Sequence, residues 1–126
     1  RDIKSIASTA GADDRYIVMP EFPYSNEVNG SPARKNIDKL NEEIKNNFPD
    51  NYCVVNGLDA LHNFTSHYNR NNDEDLKDIS KGLTPSTLRM DSLHPSDSVN
   101  NGASASGVDI NAKFIADCLK AKGWIK

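Results

Sequence analysis

A short apolar run, Tyr16-Ile17-Val18-Met19, is closed by Pro20 and Pro23. The run has no polar alternation and is rich in residues that favour β-structure, which is typical of a strand buried on both faces of a parallel sheet. A second run of the same kind, Tyr52-Cys53-Val54-Val55, ends at Asn56-Gly57. The two runs predict neighbouring strands of a buried sheet.

Helix signals alternate with these runs. Ser31 offers a capping hydroxyl and Pro32 suits the first position of a helix, while Pro49 stops that helix. We expect one apolar stripe along it, formed by Ile37, Leu40, Ile44 and Phe48. The order helix, strand, helix, strand predicts an α/β fold with a parallel sheet.

Further helices are predicted elsewhere in the chain. Residues 3–10 have helical spacing and end before Gly11. A short helix is expected over residues 73–79, where the acidic side chains form a solvated helix start. The last helix begins at Ser106, which opens a capping box, and ends at Gly123. The stretch 96–106 is predicted to be a mobile surface loop.

The length and charge of the chain restrict its partners. The 126 residues fit one small domain, and the first residue is Arg1, which suggests a trimmed product. The net charge is -3, with no basic patch, so nucleic acid is not expected as a partner. No apolar stretch is long enough to span a bilayer, so no membrane partner is expected either.

The cysteines and histidines do not predict a metal site. Cys53 and Cys118 are interpreted as two buried free thiols in preference to a disulfide. His62 and His67 are five residues apart, so they do not share one face of a helix and are expected at the surface. No cofactor and no metal are predicted.

The segment Arg89-Met90-Asp91-Ser92-Leu93-His94-Pro95 carries the candidate chemistry. Pro95 keeps His94 out of the helical region, so the backbone there is extended or turned. An aspartate three residues before a histidine can fold back and accept a hydrogen bond from one ring nitrogen. That contact leaves the other nitrogen free as a general base. Asp91 and His94 are therefore the predicted catalytic residues, while Arg89 is interpreted as a surface residue.

The block Asp91-Ser92-Leu93-His94-Pro95, followed by the helix that contains Phe114 and Cys118, resembles the last block of the SGNH/GDSL hydrolase family. The resemblance covers residues 1–126 as the C-terminal half of one domain. It implies a three-layer, flavodoxin-like parallel sheet and a serine ester hydrolase. In that reaction Asp91 would orient His94, and His94 would deprotonate a serine.

The family's other blocks are absent from this sequence. It has no Gly-Asp-Ser and no Gly-X-Asn-Asp, so the nucleophile and the oxyanion asparagine are missing. The isolated chain is therefore predicted to be inactive, because oxyanion donors and the serine supply much of the catalysis. The expected partners are the missing N-terminal half, in cis or in trans, and an ester substrate such as an acetylated carbohydrate.

A second interpretation belongs to a different class of protein. The Asn-rich loops also suit a non-catalytic binding or structural module, such as the terminal part of a phage tail protein. Secretion or association with a virus particle is compatible with both interpretations.

Overall fold

The computed structural model describes residues 15–100 and 102–126. Their helical elements are α1 (Pro32–Asn47), α2 (Ala60–Thr65), α3 (Asp73–Ser80), a 3-10 turn (Ser86–Leu88) and α4 (Gly107–Ala121). The helix predicted over residues 3–10, before Gly11, lies outside the described residues. None of the helices in the described part of the chain is long and apolar enough to cross a bilayer.

The capping signals in the sequence define the starts of α1 and α4. The Ser31 hydroxyl accepts a hydrogen bond from the Arg34 backbone N–H at 3.2 Å. The Ser106 hydroxyl accepts one from the Asp109 N–H at 3.1 Å. Each bond satisfies a backbone donor that the first turn of a helix leaves without a partner. The predicted starts of both helices are confirmed.

The predicted three-layer, flavodoxin-like parallel sheet is wrong, because the described residues form no regular strand and the structure is 43% helical. The two apolar runs meet through a single parallel bridge between Val18 and Tyr52. The second run continues only as far as Val55 and then turns back. The Val55 N–H donates to the Leu58 carbonyl at 2.9 Å, across a tight turn in which Asn56 has a φ of 53°.

Side chains of the two extended runs pack against apolar clusters on both sides of the backbone. Tyr16, Val18 and Tyr52 pack with Ile44 of α1 and with Phe48, which follows that helix. On the opposite face lies a second apolar cluster, with two residues of α4, one of α2 and five from outside these helices: Phe114, Cys118, Ala60, Cys53, Ile17, Met19, Phe22 and Val55. The extended backbone therefore lies between two helices, although it does not form a sheet.

Cys53 and Cys118 form a disulfide, so the prediction of two free thiols is wrong. Their Cα atoms are 5.8 Å apart, within the range that a disulfide requires. The sulfur atoms are buried between the second extended run and α4, and the bond joins residues 65 positions apart. The sequence could not show that α4 returns to this run.

The apolar stripe predicted along α1 is only partly correct. Ile44 and Phe48 are buried, whereas Leu40 is 41% exposed. In the first half of α1 the inward position belongs to Arg34, which is 9% exposed and ion-paired with Asp38 at 3.0 Å. Its guanidinium also donates to the Gly82 carbonyl. The N-terminal half of α1 therefore makes a polar contact with the turn after α3.

Both ends of the predicted loop 96–106 are fixed by buried hydrogen bonds. Ser96 is 1% exposed; its N–H donates to the Leu88 carbonyl at 2.8 Å, and its hydroxyl accepts from the Gly107 N–H at 2.9 Å. A Cβ at Gly107 would overlap the Leu88 carbonyl oxygen, so this close approach requires glycine. The prediction of a surface loop is wrong for Ser96 and Ser106, which are both buried.

Candidate functional site

Asp91 and His94 are in contact, as the sequence predicted. The His94 ring Nδ1 lies 2.8 Å from Asp91 Oδ2. The other carboxylate oxygen, Oδ1, accepts from the backbone N–H groups of Leu93 at 2.8 Å and of His94 at 2.7 Å. Both side chains are solvent-accessible, with 67% of His94 and 49% of Asp91 exposed. The pair therefore lies on an open loop, and its catalytic role stays a prediction.

Hydrogen bonds from the backbone dominate the electrostatics of this pair. They hold the pKa of Asp91 at about 2, with the His94 N–H as the largest cause, the Leu93 N–H as the second and the imidazole as the third. A carboxylate that accepts several N–H groups strongly prefers its ionised form. Asp91 is therefore an anion at every physiological pH and can fix the orientation of the ring.

The second ring nitrogen of His94 has no partner in the described part of the chain. No hydroxyl group there is hydrogen-bonded to it, and no group of three histidine, cysteine or acidic side chains gathers to hold a metal ion. The contact between Asp91 and His94 is thus a dyad, without the serine that the SGNH interpretation requires.

The Arg89 side chain is largely buried and contacts the loop that carries Asp91. The prediction that Arg89 is a surface residue is therefore wrong. Its side chain is 11% exposed and lies 3.3 Å from the Asp78 carboxylate. The guanidinium Nη1 donates to the Asp91 carbonyl at 3.0 Å, and Nε donates to the Thr84 carbonyl at 3.0 Å. Arg89 therefore connects the backbone of the dyad to α3.

The acidic side chains of α3 divide into two groups, which corrects the prediction of a wholly solvated helix start. Asp73 and Glu74 are exposed, but Asp75 is 0% and Asp78 is 8% exposed. The buried carboxylate of Asp75 accepts hydrogen bonds from Thr87 N–H at 2.9 Å, from the Thr87 hydroxyl at 2.6 Å and from Asn69 N–H at 2.8 Å. These bonds compensate for the loss of water around the charge.

A second Asp-X-X-His pair, Asp59 and His62, was missed in the sequence. Asp59 caps α2, because its Oδ1 accepts from the His62 N–H at 2.9 Å. The same oxygen lies 2.7 Å from His62 Nδ1, and Oδ2 accepts from the Tyr52 hydroxyl at 2.9 Å. The signal was present, since an aspartate before an apolar helix start is a common cap.

Burial and hydrogen bonding shift the pKa values of Asp59 and Tyr52. Burial alone would raise the pKa of Asp59, but hydrogen bonds from the His62 N–H, the His62 ring and Tyr52 outweigh it and lower that pKa. The pKa of Tyr52 is raised, first by burial and then by its bond to the Asp59 carboxylate. His62 itself is 68% exposed, as expected for a surface histidine.

A cleft of about 690 Å³ lies elsewhere, between α2 and α4. Ile110 and Phe114 are among its apolar residues, and Asn63, His67 and Asp109 are among its polar ones. It includes neither Asp91 nor His94. The dyad and this cleft are therefore separate features of the surface.

Over the described part of the chain, fold and site define a small, disulfide-linked module that is 43% helical and has two Asp–His contacts. The chain is similar to the tail spike protein of Salmonella phage epsilon15, with 44% identity over 110 residues that cover 87% of this chain. The matched part is 10% of that protein's length. No family model matches the chain, and no solved structure matches it.

These findings correct the interpretation as an SGNH-type carboxylic ester hydrolase. The similar protein is a tail spike protein, no SGNH family model matches, and the described residues contain no sheet. The comparison supports the second interpretation, a phage tail module. The five-residue block 91–95 resembled the hydrolase family because it encodes a local turn, which does not determine the surrounding fold.

Proposed function

We propose that this chain is a segment of a phage tail spike and serves there as a non-catalytic binding or structural module carried on the virus particle. The observation that carries the proposal is the 44% identity over 110 residues to the tail spike protein of Salmonella phage epsilon15. Since the chain spans about a tenth of that protein, its partners are first of all the other segments of the same polypeptide.

The arrangement of the module supports this role. A disulfide cross-links its interior. The side chains of Asp75 and Asp78 are also buried there. Its Asp91–His94 pair is open to solvent and has no hydroxyl partner in the described residues. A rigid module with exposed polar loops suits attachment or contact at a surface. An acetylated carbohydrate as ligand stays a prediction.

The test is to look for the chain in purified virus particles. Tryptic peptides from residues 35–122 should be present in gradient-purified virions, in the same ratio to capsid protein across independent preparations. Washing with high salt should not remove them. A non-structural phage protein from the same lysate provides the control, since it should disappear with purification.

Two results would overturn the proposal. The first is loss of these peptides in step with the non-structural control. The second concerns a spike polypeptide from which residues 15–126 are deleted. If particles carrying that polypeptide assemble, adsorb to host cells and infect them like the intact ones, the segment has neither a structural nor a binding role.

A further inference from the structure

Residues 16–19 are covered by helices on both faces. The side chains of Tyr16 and Val18 contact the cluster that contains α1, and those of Ile17 and Met19 contact the cluster that contains α4 and the disulfide. This alternation is that of an extended strand with two buried faces. Strands of that kind normally lie in the interior of a sheet, with a neighbour on each side.

Among the residues that the structure describes, only one edge of this segment has a hydrogen-bonded neighbour. The Val18 N–H donates to the Asn51 carbonyl at 2.9 Å, and the Asn51 side chain donates to the Tyr16 carbonyl at 2.8 Å. In an extended chain the N–H and C=O groups of Ile17 and Met19 point to the opposite edge. Within residues 15–100 and 102–126, no backbone hydrogen bond is recorded for Ile17 or Met19.

No lysine, other charged side chain or proline within residues 16–19 discourages pairing at the second edge. Exposed edge strands are normally blunted by a lysine, an inward-pointing charge, a bulge or a proline within the strand. Residues 16–19 contain none of these, and the first proline, Pro20, comes after the run. An unpaired edge between two covered faces can pair with another extended segment through main-chain hydrogen bonds.

We propose that the edge at Ile17 and Met19 receives an extended segment from another part of the same polypeptide, which pairs with it through main-chain hydrogen bonds. The choice of occupant rests on the proposed function, because a spike polypeptide supplies the additional chain. The matched region is 10% of the length of the similar protein, which is therefore about ten times as long. The module would then be completed only within the whole spike.

Hydrogen exchange at three adjacent amides tests the proposal. The amides of Ile17 and Met19 should exchange at least about a hundredfold more slowly in the complete spike polypeptide than in the 126-residue chain. The Val18 amide, which already donates to Asn51, is the internal control. It should be protected in both samples, and it shows that the segment is folded in each.

The outcomes distinguish a segment of the same polypeptide from a second copy of the chain. They also distinguish failure of the edge proposal from failure of the proposed function. Fast exchange at Ile17 and Met19 in the complete polypeptide, with Val18 protected, would overturn the proposal while leaving the assignment to a tail spike intact. Slow exchange in the 126-residue chain that is lost on dilution would replace the proposed occupant with a second copy of the chain. Absence of the chain from virions would defeat the functional proposal, whatever the exchange rates.

Discussion

The two Asp-X-X-His pairs have nearly the same local hydrogen bonds but different surroundings. In each pair one aspartate accepts from the backbone N–H of the histidine and contacts its Nδ1. Asp59 begins a helix and is covered by the hydroxyl of Tyr52, so only 20% of its side chain is exposed. Asp91 lies in a loop and does not cap a helix, and 49% of its side chain is exposed.

The Asp-X-X-His spacing determines that the aspartate contacts the histidine. The surrounding packing determines whether that contact contributes to stability or only orients the ring. Around Asp59 the bonds cap a helix and satisfy a buried phenol, so they contribute to stability. Around Asp91 the bonds orient a ring that faces water, and the loop takes its support from Arg89 and α3 below it. We therefore expect the Asp91–His94 pair to depend on the contacts of Arg89 and α3 more than on its own hydrogen bonds.

The largest expected loss of stability comes from removing the buried carboxylate of Asp75 in α3. Asp75→Ala leaves the Thr87 N–H and hydroxyl and the Asn69 N–H without their buried acceptor. The free energy of unfolding should fall by about 4 kcal/mol, since each orphaned donor costs roughly 1–3 kcal/mol. Urea denaturation measures the change. Glu74→Ala, on the exposed face of the same helix, is the control and should change stability by less than about 0.5 kcal/mol.

A cost near that of the Glu74 control would mean that the buried network under the loop contributes little to stability. The contrast between the two pairs would then need another explanation.

A smaller effect separates the two aspartates directly. Asp59→Ala removes a helix cap and the partner of the Tyr52 hydroxyl, and should cost about 2 kcal/mol of unfolding free energy. Asp91→Ala exposes donors that water can reach, so its cost should be clearly smaller. The comparison uses the two variants in the same urea titration. Equal losses would contradict the view that packing, and not the motif, determines the role.

The smallest effect concerns the acidity of Asp91. Its carboxylate should titrate near pH 2 by NMR, against an ordinary value of 3.8. Because the folded-state pKa is lowered, Asp91 contributes stability above pH 4, and this contribution is lost as the pH falls from about 4 towards 2. In His94→Ala the titration should stay well below 3.8, since the two backbone donors remain.

A return of the Asp91 pKa to its ordinary value in His94→Ala would show that the imidazole is the main cause. The dyad would then be a true ion pair, and the backbone would have only a secondary part in holding it.

The sequence predicted the features that are local in the chain. The caps at Ser31 and Ser106 and the contact between Asp91 and His94 each involve residues within three positions of one another. They could be predicted because the hydrogen bond closes inside a single turn.

Features that depend on distant residues were missed. Glu74 and Asp75 are neighbours with similar side chains, yet only Asp75 is buried, because Thr87 lies beside it. Cys53 pairs with a residue 65 positions away. The hydrolase interpretation failed for the same reason, since a short block that fixes a turn says nothing of the elements around it.

The disulfide also closes part of the main chain into a covalent ring. Cys53 and Cys118 close a ring of main chain that includes α2, α3, the loop of Arg89 and both Asp-X-X-His pairs. A protease that cuts one peptide bond between residues 54 and 117 opens the ring but does not divide the molecule. A single cut in any one surface loop of that ring therefore leaves the two pieces joined through the disulfide.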